Sequence, residues 1–134
     1  MLLENINPSN RERLYHKDIG FPSNLRMPPN FNPIVRLSYS GHAQAEANDK
    51  YGQLSLPKVI DTRKGDIVEI GVTGLTVTKI VIRMHYDDVK DIVIVFLPDS
   101  GRVKTVWANL KSDKHKTLDR SKYSDPRPMA NRRF

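Results

Sequence analysis

The chain has no cysteine among its 134 residues. That excludes a disulfide framework, a thiolate nucleophile and any zinc site built on thiolates. It also lacks a long hydrophobic run. The most apolar stretch, Ile92 to Leu97, is far too short to cross a bilayer. The opening residues, Met1-Leu2-Leu3-Glu4-Asn5, place no basic segment ahead of an apolar one, so no secretory signal is expected. No internal repeat is visible. The expectations that follow are a cytoplasmic location (a host cytoplasm if the chain is phage-encoded) and no membrane partner.

What is present fits one folded domain. The length suffices to bury a core without staples. A hydrophobic fraction of 38% and a charged fraction of 28% are ordinary for a globular chain and exclude wholesale disorder. The net charge of +7 is unevenly placed. Residues 1–36 hold five Lys/Arg against three Asp/Glu, residues 37–110 nine against nine, and residues 111–134 eight against three. A neutral middle with basic ends favours an anionic partner, RNA above all. The plainer alternative is a solvated basic tail that only aids solubility.

The punctuation of the chain predicts its elements. Residues 1–34 are rich in Asn and Pro and lack hydrophobic periodicity except around Arg11 to Ile19, where one short helix fits. Ser40 to Lys50 is alanine-rich and predicts a helix with Ser40 as N-cap and Gly52 beyond its end. Strands are expected at Lys58–Asp61, Asp66–Val72, Val77–Tyr86, Lys90–Leu97 and Arg102–Leu110, with turns at Gly74, Asp87-Asp88 and Pro98-Asp99-Ser100-Gly101. The fold class read from this is α+β: an irregular N-terminal arm and a short helix packed on an antiparallel four- to five-strand meander sheet. The expected division is an arm over 1–37, an α+β domain over 38–123 and a basic tail over 124–134.

Alternation on the long strand puts Val77, Lys79, Val81, Arg83 and His85 on one face, with Thr78, Ile80, Ile82, Met84 and Tyr86 facing the helix. On the last strand Val103, Thr105, Trp107 and Asn109 share one face, opposite Arg102, Lys104, Val106 and Ala108. Basic and aromatic side chains on a sheet suit single-stranded RNA. Trp107, Lys104, Lys111, Lys114, Lys116, Arg120 and Lys122 are the residues expected to contact it. The alternative for Arg83 and Lys104 is simple pairing with Asp87, Asp88 or Asp91.

Histidine is the side chain suited to acid–base work near neutral pH. His16 lies in the arm and His85 reads as an ordinary paired surface residue. His42 falls in the first helical turn, where the dipole disfavours the protonated form. His115 sits between Lys114 and Lys116. Cleavage of RNA by its own 2′-hydroxyl needs a base, an acid on the leaving oxygen and cations around the phosphorane. His42, Arg83, His115, Thr117 and Tyr123 can supply these without a metal or cofactor, provided they converge.

The helix carrying Gly41-His42-Ala43, the strand meander and the His-x-Thr segment resemble the ribonuclease superfamily of barnase, EndoU, colicin D and RelE. The run Lys104-Thr105-Val106-Trp107-Ala108-Asn109 leading to Asp113-Lys114-His115-Lys116-Thr117-Leu118-Asp119 is the most specific part, and the resemblance covers roughly residues 38–123. Toxin and phage-encoded domains with this fold look most similar. The resemblance implies metal-independent endonucleolytic cleavage leaving a 2′,3′-cyclic phosphate. His115 and Thr117 match the C-terminal motif, Arg83 a strand-borne basic residue and His42 a helical histidine. The chain departs in lacking a glutamate base on a central strand, which leaves the base open between His42 and His115. A non-catalytic nucleic-acid-binding protein and a factor that binds a host protein or an inhibitor are the other two readings.

Overall fold

The computed structural model describes residues 12–47, 54–113 and 118–126. Among them the protein is mostly β, in two sheets. The strands are β1 (Arg13–His16), β2 (Ile34–Arg36), β3 (Ser38–Tyr39), β4 (Val59–Asp61), β5 (Asp66–Thr73), β6 (Thr76–His85), β7 (Lys90–Phe96) and β8 (Arg102–Leu110), with one helix, α1 (Gly41–Ala47). The large sheet runs β1-β5-β6-β7-β8-β3 and the small one pairs β2 with β4.

The β5–β8 meander is antiparallel throughout, as the short turns require. Gly74 and Gly101 take φ of +66° and +78° in its turns. Gly101 is also a point of close approach, because a Cβ there would overlap the Arg36 carbonyl oxygen. Ser40 caps α1, its Oγ accepting the Ala43 N–H at 3.1 Å. The expected C-cap, Gly52, lies outside the described residues.

The sheet is wider and more mixed than a four- to five-strand meander. The short helix expected near Arg11 to Ile19 is instead strand β1, antiparallel to β5. Only four residues long, Arg13–His16 gains its ladder from β5, a contact that local propensity does not report. At the other edge β3 lies parallel to β8. Residues of the arm therefore belong to the body of the fold, with Tyr15, Val35 and Leu37 in its core.

The main core lies on one face of the large sheet. Ile80, Ile82, Ile92, Ile94, Phe96 and Val106 meet Ala43 and Ala47 of α1, with Ile60 and Leu54. The other, open face carries a smaller cluster of Val68, Val81, Val93 and Val95, with Trp107 packed against it. Strict alternation fails at three places. Register shifts between Ile67 and Glu69 and between Gly71 and Val72 leave Val68 on the open face and bring Val77 into the main core. A third shift sets Val103 opposite Phe96 and Thr105 opposite Val95. Val103 thus joins Val106 in the core, and Lys104 is the extra residue of a bulge. No helix among the described residues is long and apolar enough to cross a membrane.

Candidate functional site

Four groups of polar side chains stand out: a cleft and a polar cluster on the open face, a basic edge at β2, β3 and β8, and a groove beside the small sheet. The cleft, of about 490 Å³, is lined by Lys17, Asp18, Asp66, Arg83, His85, Asp91, Lys111 and Asp113 over a floor that includes Val68 and Met84. Arg83 lies on β6 opposite Val93, and Asp91 on β7 opposite His85. One strand pairing therefore delivers three of these side chains to one face. Arg83 Nε donates to Asp91 Oδ2 at 2.9 Å and its Nη2 to the Leu110 carbonyl at 3.0 Å. Lys111 Nζ donates to Asp91 Oδ1 at 2.6 Å and lies 3.0 Å from His85 Nδ1. An ammonium can only donate, so Nδ1 accepts and the neutral ring carries its proton on Nε2.

Burial alone would raise the Asp91 pKa. The hydrogen bonds from Lys111 and Arg83 outweigh it, and the carboxyl is held below its ordinary value. Lys17 likewise pairs with Asp66 at 2.5 Å. The lining thus carries three Lys/Arg against four Asp, and every one of those cations has an acidic partner.

Further along the open face, toward β1, Tyr123 donates to Glu69 Oε1 at 2.6 Å. Burial, then the Glu69 contact, pushes the Tyr123 pKa upward, so the phenol stays protonated. The ring also meets the buried His16 edge-on, with centroids 5.5 Å apart, and the Ser124 N–H reaches the Leu14 carbonyl at 2.8 Å. Tyr123 thereby pins the segment after β8 to the β1 edge.

The basic edge is built differently. Arg36, Lys58, Arg102 and Lys104 are all exposed. The Leu37 N–H bonds the Lys58 carbonyl and the Ser38 N–H bonds the Gly101 carbonyl, so β2, β3, β4 and β8 meet here. Arg102 and Lys104 flank the buried Val103, and Arg102 stands opposite Ser38. None of the four side chains has an acidic partner among the described residues, whereas Lys17, Arg63, Lys79, Arg83, Lys90 and Lys111 all do.

The residues picked from the sequence fall in separate places. Arg83 and Tyr123 share the open face. His42 is exposed on α1, on the main-core side of the sheet, so the sheet separates it from both. Lys111 is in the cleft. Trp107 lies on the open face with Nε1 donating to Asn109 Oδ1 at 3.0 Å, and Lys104 is on the edge. Arg120 and Lys122 are exposed in a 3-10 turn capped by Asp119. Lys114, His115, Lys116 and Thr117 lie outside the described residues. Among those described, no group of three or more His, Asp or Glu is arranged to hold a metal. The sequence pattern does not single out Arg36, Lys58 or Arg102. They lie far apart in sequence, and only strand pairing assembles them. Compared with models of protein families, with curated proteins and with solved structures, the chain matches none.

Proposed function

We propose that this chain binds RNA, holding phosphates along the basic edge and drawing further attraction from its basic C-terminal segment. The observation that carries the reading is the set Arg36, Lys58, Arg102 and Lys104, exposed on adjoining strands with no acidic partner among the described residues. A cation already tied to a carboxylate has its field largely cancelled. An unpaired one gives its full charge to a phosphate and releases counterions in doing so. Residues 111–134 add eight Lys/Arg against three Asp. The test is anisotropy of a mixed-sequence single-stranded RNA across a salt series. Each phosphate contact contributes about −0.7 to the slope of log K against log salt, so four give roughly −3. Binding that ignores salt, or no binding at low salt, would overturn the reading.

The His85–Lys111 contact favours a second reading, metal-independent cleavage in the cleft. His85 offers an imidazole of fixed tautomer beside two cations, and His115 follows two positions after Asp113, a cleft residue. For His85 to act as the base, Lys111 must leave Nδ1 and the ring proton must move there, freeing Nε2 to take the 2′-hydroxyl proton, while the other histidine would protonate the leaving 5′-oxygen. In this reading His85 takes the role expected of His42. Total RNA incubated with EDTA tests it. Cleavage lost in His85→Ala and His115→Ala but kept in His42→Ala is the expected result, and intact RNA with the unaltered chain leaves binding alone.

A further inference from the structure

We propose that the groove beside the small sheet is a nucleobase pocket, with the Tyr86 ring as its stacking surface. The inference rests on the RNA-binding reading and adds a site to it. The groove encloses about 710 Å³ between β4 and the ends of β6 and β7, a size within the range of small-molecule sites. Val59, Ile60, Met84 and Tyr86 give it an apolar side, which suits a flat heterocycle, while Lys64 and His85 bring polar groups to its lining.

Tyr86 is held in place. Its hydroxyl accepts the Ser55 N–H at 2.8 Å, and Lys90 Nζ lies 5.3 Å from the ring centroid. Lys90 is not among the residues lining the groove. The cation approaches the ring from outside the groove, whose own lining carries Lys64. Asp61, the carboxylate on the groove wall, is already engaged by Arg63 Nε at 2.8 Å and Nη2 at 3.0 Å.

The surroundings choose the occupant. Arg36 lies across the ladder from the lining residue Val59 and Lys58 precedes it in the chain, but neither lines the groove. Lys64 does, exposed and with no ion pair among the described residues. An apolar slot with an aromatic wall and a lysine in its lining complements a nucleotide: phosphate on Lys64, base against Tyr86. A purely apolar peptide side chain would leave Lys64 unused.

The experiment compares a short single-stranded RNA with an oligomer of the same length and charge whose sugars carry no bases. The unaltered chain should bind the base-bearing strand roughly ten-fold more tightly, the affinity one aromatic–base stack carries. Tyr86→Leu should erase that difference while leaving the abasic strand bound as before, and Tyr86→Phe should retain it. Equal binding of the two strands by the unaltered chain overturns the pocket but leaves electrostatic RNA binding standing. Failure of both strands to bind overturns the RNA reading itself. If Tyr86→Leu does not fold, photocrosslinking of 4-thiouridine RNA to the unaltered chain decides. Adducts on Tyr86 or Met84 support the pocket, and adducts found only elsewhere overturn it.

Discussion

The open-face cleft and the basic edge use the same two residue types in opposite circumstances. In the cleft, Arg83 and Lys111 converge on one carboxylate, Asp91, and are spent on holding β6, β7 and the end of β8 together. At the edge, Arg36, Lys58, Arg102 and Lys104 are brought together by backbone pairing alone, and their charges face water. Like charges gathered without ion-pair partners repel one another, so the edge costs stability that the rest of the fold must offset. A cation's position on a strand says little about its role until its partner is known.

Unseating the edge should have the largest effect. Gly101→Ala places a methyl group into the Arg36 carbonyl at a backbone conformation that L-residues avoid. It should cost at least ~3 kcal/mol in a denaturant titration. Gly74→Ala shares the positive φ but meets nothing nearby, and should cost only about 1 kcal/mol. Comparable losses in the two variants would mean that the seam between β2 and β8 is not tight. Next in size, Arg36→Ala/Arg102→Ala/Lys104→Ala should leave folding intact and weaken RNA binding about 100-fold at low salt, read by anisotropy.

The cleft should respond in stability rather than in binding. Asp91→Asn leaves Arg83, only 12% exposed, without its ionic partner, and should cost about 2 kcal/mol at neutral pH. The folded pKa of Asp91 lies below the ordinary 3.8, so its contribution is fully present above that value and is lost as pH falls through the folded one. Unfolding followed from pH 7 down to pH 2 should show the two chains converging in acid. A gap that stays constant with pH would rule out the ion pair as its source.

The sequence made the meander readable because Gly74, the Asp87-Asp88 pair and Pro98 to Gly101 punctuate strands of strong β propensity. The Ser40 cap was readable for the same local reason. Strands β1 and β3 were not, since four and two residues form strands only where a neighbouring ladder accepts them. The bulges were also invisible: one extra residue at Lys104 changes which side chains reach the core without changing composition. For the candidate site, the pairing of Arg83 with Asp91 was foreseen as one of two outcomes. The edge could not be, because Arg36, Lys58 and Arg102 become neighbours through tertiary pairing. Charge counting gave residues 37–110 as neutral, and neutrality hid an uneven division between paired and unpaired cations.

The smallest effect separates the two regions most cleanly, because it changes one charge at a time. Lys104 lies on the edge with no acidic partner among the described residues, and Lys17 lies at the cleft, 2.5 Å from Asp66. Each single substitution to Ala removes one positive charge, so any long-range effect on the field is similar in the two variants. Only Lys104 is placed to neutralise a phosphate directly. Its loss should make the salt slope shallower by about 0.7, the share of one contact to a single strand. Lys17→Ala should leave the slope unchanged, because its counter-charge is already within the protein and no counterion is released when RNA binds. Equal changes in both slopes would mean that RNA responds to net charge alone, and that pairing within the fold does not select where it sits.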